Sequence, residues 1–184
     1  MWKPLAAILM ALSLAHPANA EPPKVVVSIQ PLHSLAAGVM KGVAEPALLV
    51  TGAQSEHTYS LRPSDARMIE AADLVILADP AFEAFLAKPL KRSGANAFAM
   101  SQVPGVTRLA KREGGVWSHD DHDHGADFDG HLWLDPTNAK LFAAALAQRL
   151  AAHDPANAAT YRANANALEA RLDALDSELK ARLA

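Results

Sequence analysis

Four short apolar runs, separated by helix-like segments, limit what this chain can fold into more than any other feature. Lys24 to Ile29 (KVVVSI) is a β-branched run of buried-strand length, ended by Gln30-Pro31. Leu32 to Met40 reads as a helix closed near Gly42. Ala47 to Thr51 is a second short apolar run, followed by a loop from Gly52 to Tyr59. Ser64 can cap a helix that runs to about Ala72, with Asp65 favourable in its first turn. Leu74 to Ala78 (LVILA) is a third strand, and Pro80 starts a further helix that ends near Ser93-Gly94. Ala97 to Met100 is a fourth, weaker strand. This βαβα order predicts an α/β fold with a parallel four-stranded sheet flanked by helices.

The pattern breaks at Ser101 and returns at His131-Leu-Trp-Leu134. Asp135 followed by Pro136 is a cap-plus-N1 signature that opens a helix running to about His153. Asp154-Pro155 repeats it and opens a second helix that runs to the last residue. There Tyr161, Leu168, Leu172, Leu175, Leu179 and Leu183 form one apolar stripe along roughly 29 residues, about 43 Å at the standard rise. A coiled-coil tail is the alternative, although the repeat covers only about three heptads. So long a helix with one apolar face needs a partner surface, and the chain reads as unfinished.

Residues 1–20 have the pattern of a secretory signal peptide: Lys3, an apolar run from Leu5 to Ala15, and the small-x-small site Ala18-Asn19-Ala20. The run is too short to span a bilayer comfortably, since that takes roughly 20 residues. With no cysteine in the chain there is no lipid anchor and no disulfide, so a soluble periplasmic protein is expected. Net charge is −3, and no basic patch carries interleaved aromatics, which argues against nucleic acid as a partner.

The chemistry lies in the histidines. Four of the eight fall between residues 119 and 131, and Ser118 to His124 mixes imidazoles with carboxylates at short spacings. Imidazole suits zinc, copper and nickel, while a flexible loop loses entropy when it wraps an ion. His119, His122 and His124 are therefore expected to be weak, promiscuous ligands, with a solvated acidic loop as the plain alternative. Glu56-His57 follows the second strand, where parallel α/β sheets gather ligands at the carboxyl ends of their strands. His131 could be brought to the same rim. Two imidazoles and a carboxylate supply three of the four ligands of a tetrahedral zinc site. Spacing alone leaves the other reading open, in which Glu56 and His57 are loop residues and His131 a capping or core histidine.

Ser55-Glu-His-Thr-Tyr-Ser-Leu-Arg-Pro-Ser-Asp65 closely resembles the first metal-binding segment of zinc-uptake ABC solute-binding proteins. His131-Leu-Trp-Leu-Asp-Pro136 resembles their second, again placed after an acidic histidine-rich loop, here residues 113–130. Val26 to Leu35 and Ala72 to Ala78 fit the same family. The resemblance implies two α/β lobes joined by one long helix, with Zn2+ as transported ligand between them. Residues 21–154 would be the N-terminal metal-binding lobe, and 155–184 the interlobe helix. Glu56, His57 and His131 match ligand positions, and the loop histidines are auxiliary.

The family takes a further histidine from its second lobe, which this chain does not reach, so a fragment or a truncated gene is expected. His33 and His153 read as structural. The function expected is high-affinity zinc capture and delivery to an inner-membrane ABC permease. A periplasmic metal buffer and a manganese-type binder are the alternatives, and self-association could occur through the terminal helix. A zinc hydrolase is disfavoured, because neither an HExxH helix nor a GxSxG motif is present, and no enzyme is expected.

Overall fold

The computed structural model describes residues 21–52, 54–111 and 127–183. The expected signal peptide (1–20), His119, His122 and His124 lie outside the described residues. The expected parallel four-stranded sheet is present. Its strands are β1 (Val25–Val27), β2 (Ala47–Leu48), β3 (Leu74–Leu77) and β4 (Ala97–Ala99), in the order β2-β1-β3-β4. Val26 lies opposite both Ala47 and Val75, and Val75 opposite Ala97.

Side chains alternate across a strand, so each apolar run feeds two cores. Val25, Val27, Leu74 and Ile76 pack with Leu32 and Ala36 of α1 (Gln30–Met40) and with Phe142 and Leu146 of α4 (Pro136–His153). Val26, Val75 and Leu77 pack on the other side with Ile69 of α2 (Pro63–Glu70) and with Leu86. Burial on both faces is why β1 and β3, the inner strands, are apolar at every position. The second strand is shorter than its apolar run. Only two residues pair, after which Leu49 and Val50 donate to the carbonyls of Val27 and Ser28 and carry the chain along the edge.

Several helix starts differ from the sequence reading, the first being α1, which begins at Gln30 rather than Leu32. α2 begins at Pro63, and Asp65 rather than Ser64 serves its start, accepting from the Arg62 amide at 2.7 Å. The expected helix from Pro80 is broken: a 3₁₀ turn at Ala84–Leu86 precedes α3 (Ala87–Ser93). Local side chains compete for the backbone there. Asp79 accepts from the Ala81 amide at 2.7 Å, and the fully buried Glu83 carboxylate accepts from the Ala78 and Asp79 amides and from Ser28. Burial pushes the Glu83 carboxyl up to about 7, against those three donors.

Asp135 caps α4 by accepting from the Thr137 amide at 2.7 Å, with Pro136 at the first helical position. Asp154 then caps a 3₁₀ turn at Pro155–Asn157, which leads into α5 (Ala158–Leu183). Tyr161 is buried and donates to Asp154 at 2.8 Å, while the Asn164 amide donates to the carbonyls of Val39 and Lys41 at the end of α1. Leu168 lies over Gly38, where an added Cβ would stand 3.3 Å from its methyl group. Past that point burial runs out: Leu175 is 45%, Leu179 38% and Leu183 84% exposed. The apolar stripe is therefore covered only in its first half. No described helix is long and apolar enough to cross a membrane.

Candidate metal centre

The loops that leave the carboxyl ends of β2 and β3 meet at one rim of the sheet, the usual place for ligands in parallel α/β folds. The first carries Glu56 and His57, and the second carries Phe82. The segment that enters α4 brings His131 to the same place, with its ring centroid 5.7 Å from that of His57.

The first loop is tied down on both sides of its histidine. Ser55 makes a turn, its carbonyl accepting from the Thr58 amide at 3.2 Å and its hydroxyl from the His57 amide at 3.3 Å. Arg62 donates to the Gln54 side chain at 3.0 Å across the loop. The main anchor is Tyr59, buried against Phe85, with its hydroxyl 3.1 Å from the Leu49 carbonyl and 2.8 Å from Asp65. Burial, then the contact with Asp65, raises the Tyr59 pKa and keeps the phenol protonated. For Asp65 burial acts upward. Hydrogen bonds from the Arg62 amide, Tyr59 and Ser64 outweigh it and hold the carboxyl below its ordinary value.

His131 is held differently. One oxygen of Asp129 accepts from the His131 amide at 3.0 Å and lies 2.6 Å from Nδ1 of its ring. Asn138, buried in the first turn of α4, brackets the segment. Its amide donates to the carbonyls of Thr107 and Leu132, and its oxygen accepts from the Thr107 amide at 2.8 Å. Phe82 packs against both histidines, edge-on with centroids 5.2 Å from His57 and 5.1 Å from His131. Gly130 passes beneath that ring so closely that an added Cβ would meet it at 2.1 Å.

One potential ligand atom each from Glu56, His57 and His131 falls within 4.8 Å of the others, and all three residues are half-buried. Bonds of 2.0–2.2 Å to a tetrahedral ion require donors about 3.3–3.6 Å apart, so the trio has to contract by at most about 1.5 Å to grip one. Glu56 already lies 3.6 Å from His57 Nε2. Two imidazoles and a carboxylate suit zinc, and leave room for a fourth donor.

Of the remaining histidines, His33 sits on α1 with Nε2 2.9 Å from the Pro46 carbonyl, and His153 ends α4. Neither joins the trio. Sequence reasoning missed Phe82, Asp129, Gly130 and Asn138. Only Asp129 carried a local signal, a carboxylate two residues before a candidate ligand.

The family model described as "Zinc-uptake complex component A periplasmic" matches residues 25–184. The high-affinity zinc uptake system protein ZnuA of Brucella abortus (strain 2308) is 41% identical over 86% of this chain, and its namesake in Yersinia pestis is 38% identical over 93%. The chain spans 58% and 59% of those relatives' lengths. A solved structure titled "Crystal structure of ZnuA" superposes with a TM-score of 0.71 at 28% identity, covering 85% of this chain and 57% of its own.

Proposed function

The chain belongs to the periplasmic zinc-uptake component A family, and on that premise we propose that it captures zinc in the periplasm for an inner-membrane ABC permease. The observation that carries the proposal is the convergence of Glu56, His57 and His131 from two distant segments onto one rim. In this reading Glu56 neutralises part of the ion's charge, the two imidazoles fix its geometry, and a donor from elsewhere completes the shell. The imidazoles favour zinc over manganese, which leans toward oxygen ligands. Residues 21–154 act as the metal-binding lobe, residues 155–184 as the interlobe helix and residues 1–20 as the export signal. His119, His122 and His124 add weak capture sites to the main one.

Titration calorimetry with zinc tests this. His57→Ala or His131→Ala removes one of few fixed ligands and is expected to abolish the tight binding class, while deleting residues 118–125 removes only the weak class. Both classes weaken as pH falls through the histidine range, because protonated imidazole cannot coordinate. Tight binding that survives the double histidine substitution contradicts the proposal.

A further inference from the structure

We propose that Asp129 is a positioning residue for this site: it holds the His131 ring with its proton on Nδ1 and so presents Nε2 to the metal. The inference rests on the zinc reading above and adds to it a group that is not among the three converging ligands. A single oxygen, Oδ1, lies 2.6 Å from the ring Nδ1 and 3.0 Å from the amide of the same residue. One acceptor therefore fixes the backbone and the ring together. An ionised carboxylate has no proton to give, so a neutral ring bonded to it carries its own proton on Nδ1. The lone pair is then on Nε2, and no tautomer shift is needed before a metal binds. A carboxylate on the far nitrogen also makes the imidazole a stronger donor to a metal.

Asp129 is itself well placed to do this. Its amide donates to the Leu109 carbonyl at 2.8 Å, next to the antiparallel bridge between Ala110 and Phe128. Gly130 runs under Phe82, and the imidazole also packs edge-on against Phe82 at 5.1 Å and Trp133 at 5.3 Å. The ring is thus held in orientation as well as in tautomer. A metal on Nδ1 would have to displace the Asp129 contact.

Nitrogen-15 correlation spectra of the imidazole rings, recorded on the full chain with and without zinc, test this together with zinc calorimetry. The unsubstituted chain is expected to show His131 protonated on Nδ1, with zinc shifting Nε2. Asp129→Ala should mix the two tautomers and weaken zinc binding about 10- to 100-fold, the usual range for such outer partners. Asp129→Asn keeps an acceptor oxygen without the charge, and should keep the tautomer while losing less affinity. Zinc found on Nδ1, or Asp129→Ala leaving the tautomer unchanged with or without a loss of affinity, overturns the positioning role. His131→Ala separates the two levels. If it leaves tight binding intact, the zinc site itself is wrong; if it abolishes binding while Asp129→Ala changes nothing, only the role of Asp129 falls.

Discussion

The two segments that supply histidines to the rim solve the same problem in opposite ways. The loop around His57 is secured chiefly through Tyr59 two residues on, whose hydroxyl reaches the sheet edge and the start of α2. The segment around His131 is secured at the histidine itself, through Asp129 on the ring and Asn138 on the flanking backbone. Both arrangements fix where a side chain starts, and at His131 a carboxylate on the ring nitrogen also bears on how it points. In this account Asp129 orients His131 before an ion arrives. Phe82 touches both rings and links the two halves.

The comparison predicts graded effects. Phe82→Ala should do most damage, because it removes a buried ring that supports both histidines. A loss of about 3–5 kcal/mol is expected in chemical denaturation, with zinc affinity falling too. Equal zinc affinity after that change would mean that the rings need no shared support. Asn138→Ala should come next, at about 2–3 kcal/mol, since it strands the buried carbonyl of Leu132 and the part-buried backbone groups of Thr107. Its effect should reach the His131 ring signals and leave those of His57 nearly unchanged.

Tyr59→Phe should cost least, about 1–2 kcal/mol, and disturb the His57 side alone. It also has a pH signature. The Asp65 pKa is depressed in the folded state, so its contribution is present above the ordinary carboxylate range and lost as pH falls. Removing the phenol takes away one of the hydrogen bonds that depress it. The deficit of Tyr59→Phe is therefore expected to be largest near neutrality and to shrink on acidification. Thermal melts of both chains from neutral pH into the acid range check this, and a constant difference would show that Asp65 is not involved.

Much of the frame is legible in the chain because it depends on local signals. β1 and β3 announce themselves as unbroken apolar runs since both of their faces are covered, and Asp135-Pro136 marks the start of α4 by a cap that works within one turn. The misread helix after Pro80 shows the limit. Glu83 looks like an ordinary helix former, but its carboxylate turns inward to the amides of Ala78 and Asp79 and to Ser28, 55 residues away in sequence. The site is less legible for the same reason. Spacing offered Glu56, His57 and His131 only as candidates. Nothing local to Phe82, Gly130 or Asn138 says that they support a histidine, because each acts across the fold.

The central claim is that Glu56, His57 and His131 share one zinc ion. Anomalous diffraction from crystals of the zinc-loaded chain, measured on both sides of the zinc edge, tests it most directly. The account predicts a peak at the rim, about 2.0–2.2 Å from one oxygen of Glu56, one nitrogen of His57 and Nε2 of His131, with Asp129 still on Nδ1. A fully occupied zinc held by other residues, with these three side chains unliganded, would contradict it.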